Sequence, residues 1–150
     1  MKNKQIKRIL LSVFIVLIFI IAWLSIHGIN KTVEKTVSLE VYEDNDWIPD
    51  KDSSVTIKGN FRKTLFSSSF VGTFAIEYYE SSCREGTEAK IEWHDGYQLI
   101  SYYHEGNFSA DLTINIDEDM QNMMIVLNDK TIITSLDYDI PTEIWKHYKE

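Results

Sequence analysis

Two histidines with carboxylates beside them lie in EWHDGYQLISYYHEG, residues 92–106: His94 adjoins Asp95, and His104 adjoins Glu105. Imidazole next to carboxylate is the equipment of general acid–base catalysis and of zinc ligation. A metal ion shared by the two would need both rings in one place, because zinc–imidazole bonds are only about 2.0–2.1 Å long. The apolar pattern between them argues for a hairpin instead. A three-residue loop at His94-Asp95-Gly96, with Gly96 in the left-handed position, sets Ile91 against Leu99. A two-residue turn at Gly106-Asn107, glycine first, then sets Leu99, Ser101 and Tyr103 against Ile114, Leu112 and Ala110. One apolar face runs across three strands, and a one-residue slip would turn it over. Seven strand steps of about 3.3 Å put the histidines roughly 23 Å apart. His27, bordering an apolar run, and His147, in the last segment, complete neither end. No metal site and no cofactor are expected.

Other chemistry finds little footing. The chain holds no Gly-x-Ser-x-Gly elbow, no Ser-x-x-Lys and no Gly-rich phosphate loop. Its one cysteine, Cys83 in YESSCREGTE, has no base beside it in sequence and reads as a free thiol in a loop. Carboxylates are too numerous for any one pair to indicate a glycosidase. An enzyme is therefore not the expectation, and a hydrolase is the weakest alternative. The densest acidic stretch, YEDNDWIPDKD, carries Asp44, Asp46, Asp50 and Asp52. An EF-hand loop counted from Asp44 would need a ligand, a glycine and a glutamate where Ile48, Pro49 and Val55 stand, so that motif fails. A second acidic loop, DEDMQN, holds Asp117, Glu118 and Asp119. These seven residues are the candidate interaction sites, because loops tolerate functional change that strands do not.

The elements around them read as strands. TVSLEVYE alternates Val37, Leu39 and Val41 with polar residues, and SVTIKGNF alternates Val55 and Ile57, with Gly59 marking a bulge or strand end. SFVGTFAIEYY places Phe70, Phe74, Ile76 and Tyr78 on one face. AKIEW, YQLISYYH, FSADLTINI, MMIVLN and TIITSL complete about eight strands. Met123 to Leu127 is apolar on both faces, which suits a central or covered strand. In each tyrosine doublet, Tyr78-Tyr79 and Tyr102-Tyr103, one ring is expected inside and the other outside. Short loops between the strands predict an antiparallel meander closed as a sandwich or small barrel. DIPTEIWKHYKE, with Pro141 near its start, is compatible with a short closing helix. Phe74, Trp93, Leu112 and Ile114 are the expected core.

Ahead of the strands, MKNKQIKR supplies Lys2, Lys4, Lys7 and Arg8, and Ile9–Ile26 follows as 18 residues without a charge. As a helix this run reaches about 27 Å, nearly the thickness of a bilayer's hydrocarbon core. It exceeds the usual apolar region of a cleaved signal and lacks a small-x-small site, so a retained anchor is expected. The chain divides into a basic cytoplasmic tail (1–8), a transmembrane anchor (9–27), a polar tether (28–36) and an exported β-domain (37–150). Beyond the anchor lie 11 basic and 23 acidic residues, a net charge of −12. That field opposes nucleic acid and anionic surfaces and suits basic partners. The expected function is a membrane-anchored binding or accessory module with a protein or envelope partner. A β-barrel holding a small ligand is the alternative: a filled interior favours the first, a cavity of several hundred Å³ the second.

Overall fold

The apolar run forms one helix, α1 (Lys2–His27), in a computed structural model that describes residues 2–43, 50–95, 97–110 and 112–135. The helix is long and apolar enough to cross a membrane, and the rest of the chain does not cover its apolar window. It ends at Gly28, whose amide donates to the Leu24 carbonyl at 3.0 Å with φ at +64°. This is the left-handed helix stop for which glycine is suited.

Residues 28–36 were expected as a tether, but all of them after Gly28 belong to the sheet. The strand β1 (Ile29–Tyr42) starts one residue beyond Gly28 and pairs from Ile29↔Lys63 onward with β2 (Lys51–Lys63). The period of two continues through this polar stretch as Ile29, Lys31, Val33, Lys35 and Val37. Two lysines at inward positions hide it from an apolar reading.

The remaining strands are β3 (Ser68–Ile76), β4 (Glu88–His94), β5 (Tyr97–His104), β6 (Asn107–Ser109), β7 (Leu112–Ile116), β8 (Met123–Leu127) and β9 (Ile132–Ser135). A short 3₁₀ turn, Glu80–Ser82, lies between β3 and β4. All pairs are antiparallel, in the order β6-β5-β4-β3-β2-β1-β9-β8-β7. The sheet curls into a half-barrel that brings Cα atoms of β5 and β7 within 8 Å, with no ladder described between them. Phe70, Phe74, Ile57, Ile91, Ile114 and Met123 fill its concave side. The strand β8, next to the edge strand β7, is buried from Met123 through Val126, as a covered strand with two apolar faces should be.

Nine strands replace about eight because FSADLTINI is split, and the register shows why. His94 pairs with Tyr97, so the first loop has two residues, not three, and Ile91 meets Ile100 instead of Leu99. His104 pairs with Asn107, which moves the second turn to Glu105-Gly106, with φ of 48° and 81° as a type I′ turn requires. Ile100 and Tyr102 therefore point inward, while Leu99 and Tyr103 are exposed. Continuing the β5–β6 ladder would set Leu112 and Ile114 on that outer face. The chain instead leaves the ladder after Ser109, and β7 pairs with β8 at the other end of the strand order, burying both.

Two smaller expectations also change. Gly59 is neither bulge nor strand end: it faces Gly72 inside the ladder, and Gly72 faces Ala89. A Cβ on Gly72 would come within 2.4 Å of the Lys58 carbonyl oxygen, so this row of small residues lets two backbones approach closely. β3 stops at Ile76, which leaves Tyr78 and Tyr79 in a turn, both half-buried against the core. The other doublet behaves as expected: Tyr102 is buried and donates to the Phe74 carbonyl at 3.0 Å, and Tyr103 is outside. The segment with Pro141 and His147 lies outside the described residues.

Phe74→Ala should lower the unfolding free energy by about 3–5 kcal/mol. Gly72→Ala should cost about 1–3 kcal/mol by overpacking. Phe66→Ala, at an exposed position, should change stability by less than about 0.5 kcal/mol. Denaturant unfolding followed by near-ultraviolet circular dichroism checks all three, and equal effects at Phe74 and Phe66 would contradict this packing.

Candidate functional site

Alternation sends the odd-numbered residues of β1 to the concave side. At the end away from the helix these are Leu39 and Val41, both buried. At the helix end they are Lys31, Val33 and Lys35, and β2 adds Phe61 and Lys63 through the pairs Lys31↔Phe61 and Ile29↔Lys63. With Thr32 and Glu34 at the rim and Glu118, Asp119 and Gln121 opposite, they line a cleft of about 660 Å³. The half-barrel is thus packed at one end and open, with three inward lysines, at the other.

The far wall is the β7–β8 loop, residues 117–122. Met120 anchors it, buried in the core with φ at 53°. That left-handed backbone costs a non-glycine residue about 1–2 kcal/mol, which burial of the side chain offsets. Asp117 ties the loop's return, accepting from the Gln121 amide at 2.8 Å and from Asn122 Nδ2 at 2.9 Å.

Glu118 is thereby held over the cleft. One carboxylate oxygen accepts from Ser68 Oγ at 2.8 Å and the other from Lys63 Nζ. The Lys63 hydrogen bond, then Ser68, keep its carboxyl below the usual glutamate range. Lys35 Nζ donates to the backbone oxygen of Asp119. Burial lowers the Lys35 pKa even so, outweighing the nearby carboxylates of Asp117 and Asp119. Lys31 makes no ion pair among the described residues, and its charge works against that of Lys35. Behind this wall Trp93 is half-buried, packs edge-on to Phe61 at 5.5 Å and donates to the Ile116 carbonyl at 2.9 Å.

The expected site residues do not converge. Asp50 and Asp52 are exposed near the far end of β1, where Asp50 accepts from the Glu43 amide at 2.7 Å. Eight residues separate Lys35 from Glu43, about 26 Å along the strand, so Asp50 and Asp52 stand at the opposite end of the sheet from residues 117–119. Glu118, expected as an open contact, is occupied by Lys63 and Ser68. Asp119 is exposed, and Asp44 and Asp46 lie outside the described residues. His94 stacks on Tyr97 at 5.0 Å at the helix end, while His104 Nδ1 contacts Thr87 Oγ1 at 3.2 Å at the far end. Cys83 is exposed and donates to the Ile76 carbonyl. Among the described residues no three His, Cys, Asp or Glu side chains are grouped to hold a metal ion. Lys31 and Lys35 were passed over because they sit in the stretch read as tether, and Lys63 lies just beyond the alternating run SVTIKGNF.

Comparisons with protein-family models, curated proteins and solved structures found no match to this chain. The site's chemistry therefore rests on its own geometry. Ammonium groups around a concavity can hold an anion, and a carboxylate already bound to one of them can act as a displaceable occupant.

The Glu118 clasp has a defined pH dependence. Its depressed carboxyl contributes above the unfolded reference near 4.3 and is lost as pH falls through the lower folded value. The carboxyl carbon of Glu118 should titrate, by ¹³C NMR, with a midpoint below that reference. Glu118→Gln should cost under about 1 kcal/mol, since both partners are largely solvated. A midpoint at or above the reference would contradict the clasp.

Proposed function

We propose that this chain is a membrane-anchored binding module whose working site is the lysine-lined cleft, taking an anionic group at the bilayer surface. The observation that carries this reading is the placement of Lys31, Lys35 and Lys63 at inward positions of β1 and β2. The length and uncovered apolar surface of α1 support the anchor. Lys2, Lys4, Lys7 and Arg8 ahead of it favour a cytoplasmic N-terminus and an exported β-domain. The domain's net −12 repels anions at long range, and inside the cleft Glu34, Glu118 and Asp119 stand beside the three lysines, so an anion binds there by displacing Glu118 from Lys63. The lining also favours a charged ligand over the apolar one of a ligand-holding barrel. A basic partner meeting the exposed Asp50 and Asp52 at the far end is the second reading.

Titrating inorganic phosphate and glycerol phosphate against the full chain in neutral nanodiscs tests the site. The Trp93 indole ¹⁵N resonance, beside Phe61 at the cleft, should shift saturably. Each of Lys31→Gln, Lys35→Gln and Lys63→Gln should weaken binding about tenfold or more, the loss of one hydrogen bond to a charged group. A shift that fails to saturate, or that survives the triple replacement, defeats the anion reading.

Orientation is tested separately. Cys83 is exposed, so a membrane-impermeant maleimide should label it on intact cells, and Cys83→Ser should abolish the signal. Labelling confined to lysed cells would reverse the proposed topology.

A further inference from the structure

The β2–β3 turn, residues 64–67, carries two bare apolar side chains at its tip: Phe66 is 86% exposed and Leu65 is 51% exposed. The turn is stiff. Thr64 and Ser67 close it with an amide-to-carbonyl bond of 2.8 Å, and Thr64 Oγ1 accepts from the amides of Ser67 and Phe66 at 3.0 and 3.3 Å. Its position is fixed against the end of α1. Ile29 pairs with Lys63, and a Cβ on Gly28 would meet the Lys63 carbonyl oxygen at 2.5 Å and Thr64 Cγ2 at 3.0 Å. The Arg62 guanidinium donates to the Ile26 carbonyl. Leu65 and Phe66 therefore stand beside the helix terminus, where Trp23, Ile26 and Ile29 are themselves exposed.

We infer that Leu65 and Phe66 insert into the interfacial layer of the bilayer that α1 crosses, giving the β-domain a second lipid contact. The inference rests on the proposed anchor. A lipid surface is the occupant because the patch continues the exposed apolar surface of α1. The stiff turn cannot fold its tip back onto the domain. Arg62, just before the turn, holds the Ile26 carbonyl and so keeps the tip beside the end of α1. Two contacts on one bilayer face restrict rotation about α1, which a single helix would leave free. The lysine-lined cleft shares Lys63 with this edge and is thereby held at the same surface.

The test uses the full chain in phosphatidylcholine nanodiscs, with Cys83→Ser and single nitroxide labels at Ser67→Cys, Ile15→Cys and Thr56→Cys. Collision with oxygen against a water-soluble nickel chelate reports depth. The Ser67 label should be shielded from the chelate several-fold relative to Thr56. Adding Leu65→Ser and Phe66→Ser should raise its chelate accessibility to the Thr56 level, with the Trp93 indole resonance unmoved and Ile15 still in lipid. If Ser67 is as accessible as Thr56 while Ile15 is in lipid, the second contact is overturned and the anchor stands. If Ile15 itself meets the chelate, the anchor fails and this inference falls with it.

Discussion

In β5 the side chains of Ile100 and Tyr102 point into the half-barrel while Leu99 and Tyr103 point out, and two tight loops lock that choice. Because strand side chains alternate strictly, this register decides where the chain can go after Ser109. Staying on the ladder would expose Leu112 and Ile114, so β7 crosses to β8. That crossing delivers residues 117–122 to the helix end of β1 and β2, where Glu118 meets Lys63 and Ser68. The clasp over the cleft is a late consequence of a hairpin register three strands away in the sheet.

The two ends of the half-barrel are built on different energetics. At the far end of β1, Leu39 and Val41 are fully buried in the apolar core. At the helix end, the same inward positions hold Lys31, Lys35 and Lys63. Ammonium groups cannot be packed together dry, since each needs water or a counter-charge. The open mouth follows from those three residues as directly as the packed end follows from Leu39 and Val41.

Much of this was legible in the sequence, and the misses have identifiable causes. Period-two alternation disclosed the strands, the apolar run disclosed α1, and Phe74, Leu112 and Ile114 were read correctly as core. The loop at Asp95-Gly96 was read one residue too long, and that slip inverted the face assigned to Leu99. No local signal separates a two-residue from a three-residue loop when both place glycine last. Lys31 and Lys35 disguised the first half of β1, because a charged inward residue violates the apolar cue while keeping the period. The pairing of Glu118 with Lys63 joins residues 55 apart in sequence and depends on the crossing of β7. The acidic stretches look alike in composition, and topology alone sets Asp50 and Asp52 at the opposite end from Asp117, Glu118 and Asp119.

A single glycine between helix and sheet leaves the domain almost no slack. With α1 across a bilayer, as proposed, Lys31 stands only about 10 Å of strand beyond Gly28 and Lys35 about 23 Å. Such a module has a fixed altitude. It can sample only the thin layer of solution over its own patch of membrane, so an occupant confined to that layer is met by lateral diffusion, while one free in the bulk must first come down to the surface.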